Sequence, residues 1–431
     1  MPIDFPNSPT NGDTYSAGGK NWQYNGSAWV LQGVVPAIPN GSITETQIAD
    51  SAITSAKIAA GAVVEADLAT DAVTSAKIAS NAVTAGKLGT DVQLGYRNVI
   101  INGAMQVAQR GTSTASITAA DTFVVDRFAT NIVTLGTWTM SQESDAPTGS
   151  GFRKSLKLLV TTADASPAAG DFAAIKTLFE GQNLQQFLKG TASAKQFSMT
   201  MWVKSGTTGT FIVELIDADN TRFCSQSYSV NAANTWEKKT LVFPADTTGA
   251  FDNDNGGSLA VNFYLAAGST RNSGTLQTTW GTSSTTGRAT GQVNLAAAAV
   301  AGTNYWQVTG VQLEAGSVAT PFEFEDYGTT LAKCQRYYDE HKDEIFGGIA
   351  SSTTNIQFAS AAFSQVMRAA PTIVFYGNAT ANSVRSPGGA TITLNSPSAG
   401  PSTRQVSYVN VSSGLTIGTF YQAGYTASAE L

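Results

Sequence analysis

The chain has 431 residues and only 13% of them are charged, about half the share usual for a soluble domain. Its net charge of −6, with no basic cluster, argues against a nucleic-acid partner. Hydrophobic residues at 42% are enough for packed cores, so the chain is not disordered, and no apolar run approaches the ~20 residues that span a membrane, so no membrane insertion is expected.

Residues 1–35 read as a small aromatic β unit. Segments 21–24 and 28–31 flank Asn25-Gly26, the strongest signal for a two-residue hairpin loop. Trp22 and Tyr24 share one face of the first strand, Trp29 and Leu31 share one face of the second, and Tyr15 supplies a third short strand. A unit of about 35 residues cannot bury this much aromatic surface unaided, so it is expected to be stable only as an oligomer or docked on a partner.

Residues 41–90 carry five ten-residue blocks, GSITETQIAD, SAITSAKIAA, GAVVEADLAT, DAVTSAKIAS and NAVTAGKLGT. The third place of each block holds Ile43, Ile53, Val63, Val73 and Val83, and the eighth holds Ile48, Ile58, Leu68, Ile78 and Leu88. A spacing of five fits neither the ~3.5 of a coiled coil nor the ~3.6 of a straight helix. Each block therefore reads as a short extended piece plus one turn, with Thr44, Thr54, Thr74 and Thr84 placed to cap it. One thin stripe cannot form a core alone, and the simplest cover is the same stripe on other chains. Residues 36–95 are accordingly expected to form the shaft of a homotrimeric fibre; the alternative, a flexible Ala/Ser/Thr linker, leaves the regular aliphatics unexplained.

Residues 96–326 read as one large β-domain, with strands over 122–128, 155–160, 196–204, 210–217, 223–230, 237–243, 258–266 and 305–313 separated by Gly, Asn, Asp and Ser clusters. Many strands of similar length suggest a sandwich or jelly roll. Alternation puts Phe197, Met199, Met201 and Val203 inward and Trp202 outward, and Leu259, Val261, Phe263 and Leu265 inward with Asn262 and Tyr264 outward. A helix capped by Thr329 or Thr330 is expected to link the domains over 327–345, carrying Leu331, Cys334, Gln335 and Tyr338 on one face. Residues 346–431 return to short strands at 355–359, 372–376, 391–394, 405–411 and 415–421, a second β-domain in the position of a fibre's distal tip. The fold class is thus mostly β: an elongated homotrimeric fibre with hairpin anchor, repeat shaft, jelly roll, short helix and C-terminal β-domain.

Several stretches resemble tail-fibre and related virion proteins of tailed bacteriophages. FPNSPTNGDTYSAGGKNWQYNGSAWV is similar to the virion-proximal hairpin of such fibres, and SAITSAKIA and DAVTSAKIA to their shaft repeats. RNVIINGAMQVAQRG and VTGVQLEAGSVATPFEFEDYGTTLAKCQRYY resemble the opening and close of a fibre jelly-roll module with a carbohydrate-binding character, and RAAPTIVF and YTASAEL occur in the same group. Tyr15, Trp22, Tyr24 and Trp29 are the expected anchor to the tail, baseplate or another virion protein, and host surface polysaccharide is the expected partner. The resemblance itself implies a trimeric fibre on a phage particle with host-surface binding as its role. It supplies no ligand and no binding residues.

Enzyme signatures are nearly absent. His341 is the sole histidine, expected at the solvated end of the helix, so a Ser-His-Asp hydrolase is not anticipated. Two carboxylates suffice for glycoside hydrolysis, but phage spikes that do this rest on long β-helices, for which no repeat exists here. Asp252 and Asp254 lie in DNDNGG, readable either as an Asn/Asp/Gly turn or as a structural calcium site. Cys224 and Cys334 read as buried free thiols. For sugar contact, Trp202, Tyr264 and Asn262 on predicted outer faces and Trp280 in an apolar-poor loop are the candidates; Trp236 and Trp306 read as core. The chain shows no signal peptide, which fits synthesis in a host cytoplasm and release with a virion. The expected function is a non-enzymatic tail fibre binding host glycan, with a purely structural head, collar or baseplate appendage, and then a capsule-degrading tailspike, as alternatives.

Overall fold

The computed structural model describes residues 2–33, 48–49, 52–54, 57–59, 62–64, 67–69, 72–74, 77–78, 95–282, 285–300, 303–394, 398–411 and 413–431, with backbone alone at 343–345, 359–361 and 398–400. The chain divides into two compact units, residues 1–92 and 93–431.

The first unit opens with a three-stranded meander of β1 (Thr14–Ala17), β2 (Lys20–Tyr24) and β3 (Trp29–Gln32). Tyr15 pairs with Trp22, Trp22 with Leu31 and Tyr24 with Trp29, so all five side chains share one face. The turn differs from expectation. Tyr24 opposite Trp29 leaves a four-residue loop, closed by the Asn25 amide on the Ala28 carbonyl at 3.1 Å and by Asn25 Oδ1 accepting from Ser27 and Ala28 amides. The Asn25 side chain, mimicking a backbone acceptor, outcompetes the tight two-residue loop.

In the repeats each described block carries two turns where one was expected. The amides of Ala52, Ala62 and Ala72 reach the carbonyls of Ala49, Ala59 and Ala69, and those of Lys57, Asp67 and Lys77 reach Thr54, Val64 and Thr74, all at 2.9–3.0 Å. Lys57 and Lys77 also donate to the Ala52 and Ala72 carbonyls at 2.7 Å. Small residues permit a tight turn every five positions, the same interval as the aliphatics. Ile43, Val83 and Leu88 lie outside the described residues.

The second unit holds β4 (Ser113–Ala119), β5 (Ala129–Glu143), β6 (Ser155–Thr162), β7 (Phe172–Glu180), β8 (Phe197–Ser205), β9 (Gly209–Asp217), β10 (Arg222–Val230), β11 (Glu237–Phe243), β12 (Gly257–Ala267), β13 (Gly281–Thr282) and β14 (Tyr305–Ala315). Their order is β11-β8-β14-β6-β5-β7-β12-β9-β10-β13, with β4 beside β5. The long β5 pairs with β7 through residues 129–133 and with β6 through 137–143, so it passes from one layer of a jelly-roll sandwich to the other. The bend falls at Gly136, whose φ of 64° and lack of a Cβ let it lie against the Thr162 carbonyl. Phe197, Met199, Met201 and Val203 of β8 and Leu259, Val261, Phe263 and Leu265 of β12 meet in one core with the fully buried Trp138 and Trp306. The expected strand at 122–128 is instead a tight connection, because Asp126 and Arg127 are buried in polar contacts there.

Helix α1 (Tyr327–Gln335) is capped by Asp326, whose Oδ1 accepts from the Thr329 amide at 2.9 Å. The expected linking helix over 327–345 is therefore too long: from Tyr338 the chain is already in strand β15 (Tyr338–Ser352). Tyr337 and Tyr338 are claimed by tertiary contacts that a continuing helix would break: Arg127 stacks on Tyr337 and Arg110 on Tyr338, each at 3.5 Å. β16 (Asn355–Ala362), β17 (Thr372–Gly377), β18 (Thr380–Ala381), β19 (Ser383–Arg385), β20 (Thr391–Thr393), β21 (Ser398–Pro401), β22 (Gln405–Asn410) and β23 (Phe420–Ser428) complete a second sheet around its own core of Ile356, Phe358, Phe375, Tyr421 and Tyr425.

The two β-bodies of this unit meet in a joint built from distant segments. Glu430 accepts from Arg110 at 2.9 Å and from Arg127; Gln109 donates to the Tyr338 carbonyl at 2.8 Å; Arg336 pairs with the fully buried Glu180 at 2.8 Å. Arg368 donates to the Ala429, Glu430 and Asn255 carbonyls. The stretches AQRG, KCQRYY, RAAP and SAEL, scattered along the sequence, thus converge on one place.

Candidate functional site

The candidate sugar-contact residues do not form one site. Trp202 is on β8 in one layer and Tyr264 and Asn262 are on β12 in the other, with the core between them. The strand phase is as expected, yet Tyr264 and Asn262 are 1% and 3% exposed. Segment 268–294 folds over their face and brings Arg288 onto the buried Glu214, whose Oε2 also accepts from Tyr264 at 2.9 Å and Asn262 at 3.1 Å. Burial, then the Glu214 charge, push the Tyr264 hydroxyl far above its ordinary range. These residues are a satisfied buried network and are not placed to meet a ligand. Trp280 is also tied down: its Nε1 donates to the Pro244 carbonyl at 2.8 Å and its ring packs 5.5 Å from Phe197.

Trp202 is different. It is partly exposed and lines a groove of about 250 Å³ with Phe152, Phe322, Phe324, Lys238 and Thr200. The three phenylalanines cluster with ring centroids 4.9–5.1 Å apart, and Phe324 is 53% exposed. Gly310, at φ 62° in a bulge of β14, makes room: a Cβ there would sit 2.5 Å from the Phe152 ring. Sequence alternation found Trp202 but not the phenylalanines, which come from loops. Trp236, read as core, is on the same outer face, its Nε1 3.2 Å from Asp145. Trp306 is core as expected.

The remaining candidates fall elsewhere. Tyr15, Trp22 and Trp29 gather around Phe5, whose ring stacks on Trp29 at 5.4 Å and stands edge-on to Trp22 at 5.2 Å, and Tyr24 packs on Trp29. Phe5 was not singled out because no strand period carries it. None of the described residues of this meander is fully buried. Ile48, Ile53, Ile58, Val63, Leu68, Val73 and Ile78 are each 42–56% exposed in the single chain. Asp254 uses its Oδ1 to accept from the Gly256 amide, and the Asp252 amide donates to Asp219; among the described residues no group of three or more His, Cys, Asp or Glu could hold a metal. His341 sits on β15, not at a helix end, with Nε2 2.9 Å from Ser364 Oγ and 3.2 Å from Asp339. Cys224 and Cys334 are buried and free, and burial pushes the Cys224 thiol up to about 12. Among the described residues no helix is long and apolar enough to cross a membrane.

Fold and groove together define a mostly-β protein with a jelly-roll sandwich and an aromatic outer face. No family model matches the chain, and no curated protein matches it in sequence. Among solved structures it is similar to the enzymatically active domain of tailspike protein 4 from bacteriophage CBA120 (15% identity, TM-score 0.27, covering 51% of this chain and 22% of that one). It is also similar to the CBM22-1–GH10 modules of a Clostridium thermocellum xylanase (12%, 0.24, 49% and 30%) and to a family 11 carbohydrate-binding module from the same organism (9%, 0.24, 49% and 99%). The chain thus spans less than a third of the first two.

Proposed function

We propose that this chain is a self-associating fibre protein of a phage particle, attached to the virion through residues 1–35, whose jelly roll binds saccharide on the host surface without cleaving it. The observation that carries the attachment role is the Trp202 groove: a flat indole beside three clustered phenylalanines and a lysine, open to solvent on a rigid sheet. Pyranose rings offer apolar faces to such planes and hydroxyls to neighbouring polar groups. The exposed aliphatic stripe supports self-association, since three copies can cover what one cannot. Trp202→Ala should weaken attachment to host cells roughly ten- to hundred-fold, about 1–3 kcal/mol, and leave the melting temperature nearly unchanged. A loss of stability on the order of 3–5 kcal/mol instead, with binding per folded molecule unaltered, would make Trp202 a packing residue and sink the proposal.

A further inference from the structure

The Trp202 groove opens onto a face whose charge narrows the ligand class. Lys238 on β11 lies directly across from Trp202, and Trp202 directly across from Thr309 on β14. One step along, Lys204 faces Gln307, and Gln307 faces Lys157 on β6. At ~4.8 Å per strand, Lys204 and Lys157 stand roughly 10 Å apart, with Trp202 and Lys238 about two residues further along the strands. Lys157 lies 4.6 Å from the ring of Tyr305, on the same outer face.

The acidic groups here are few and already engaged. Asp145 pairs with Lys204 at 2.7 Å and accepts from Trp236. Burial alone would raise its carboxyl, but these bonds hold it below its ordinary value. Glu143, on β5, accepts from Ser141 at 2.6 Å. Glu314 is buried and accepts from Thr320 and Gln312. Among the described residues neither Lys157 nor Lys238 has a carboxylate partner. Lys238 lines the aromatic groove and Lys157 stands two strands from Trp202 on the same outer face, two ammonium groups without a salt bridge on a chain of net charge −6.

Resting on the saccharide reading above, we infer that this face takes an anionic polysaccharide, the Trp202 groove receiving a sugar ring and Lys238 and Lys157 its acidic groups. Affinity electrophoresis of the full chain tests this with alginate, hyaluronan and colominic acid, each native and carboxyl-reduced, beside a ribitol-phosphate teichoic acid. The expected result is retardation by at least one native polymer, loss of at least tenfold in affinity on carboxyl reduction, and a further fall with added salt. If teichoic acid alone is bound, phosphate is the recognised anion. Lys238→Gln and Lys157→Gln should each weaken binding about three- to tenfold with unchanged melting, while Trp202→Ala weakens it whatever the charge of the polymer. Equal binding of native and reduced polymers, or lysine variants that bind as wild type, would overturn the anionic inference and leave the saccharide reading standing. No retardation by any polymer would overturn both.

Discussion

Replacing Glu430 by Gln removes the charge that pairs with two of the arginines in the joint. Arg127 is 4% exposed, and its remaining partners are the Leu178 carbonyl at 2.7 Å and the face of Tyr337. Arg110 keeps only Asp126, at 3.7 Å, as a carboxylate neighbour. A neutral amide can offer its oxygen to one guanidinium at a time. Breaking a buried pair by neutralising one partner costs about 3–5 kcal/mol. Arg110 and Glu430 keep some water contact, with side chains 16% and 11% exposed, so about 2–4 kcal/mol is expected here. For a body of this size that is roughly a 3–6 °C fall in melting temperature. Calorimetry of Glu430→Gln should show the fall, and Arg127→Met combined with Glu430→Gln should recover part of it, because no unpaired buried charge then remains. A Glu430→Gln protein melting within a degree of wild type would refute the view that this cluster fastens the two β-bodies together.

Ile58→Asp should disrupt self-association, since each stripe residue withdrawn from water contributes on the order of 1 kcal/mol per chain; sedimentation should show a shift toward monomer, and a wild-type chain sedimenting as monomer would remove the basis of the shaft. Phe5→Ala should loosen the anchor as strongly as Trp22→Ala, yielding particles without the fibre while the free protein still binds cells; full fibre occupancy on such particles would place the anchor elsewhere. Acid should destabilise the second unit through Glu180. Burial would raise its carboxyl, but hydrogen bonds from Arg336 and Tyr337 hold it below the ordinary 4.5. A depressed folded value means that its stabilisation is present above that pH and is lost as pH falls through the lower folded one. Glu180→Gln should flatten the fall of melting temperature in that window, and an unaltered slope would show that other carboxylates govern it.

Strand content was legible wherever one face alternated: β11 matches its expected bounds of 237–243, and β8, β9, β10, β12 and β14 lie within a residue or two of theirs. β7, FAAIKTLFE, was missed because much of it is buried on both faces, and no period survives when both faces are covered. β5 was missed because it changes layer at Gly136. Tyr264 shows the limit for sites. Period two gives the side of a sheet but not what lies over that side, and segment 268–294, rich in Thr, Ser and Gly, carries no sign that it folds back. The Trp202 groove was half legible, since Phe152, Phe322 and Phe324 are brought together by loops far apart in the chain.

The joint around Glu430 also sets an order of events in synthesis. Arg110 and Arg127 leave the ribosome some three hundred residues before the carboxylate that neutralises them. Until residue 430 is made, the nascent sandwich carries these two cations without that counter-ion, even once Tyr337 and Tyr338 are available to stack on them. Chains cut short anywhere before this point keep that defect, however well their first sheet has formed. Synthesis of the segment that follows β23 is thereby coupled to the packing of a β-body translated much earlier.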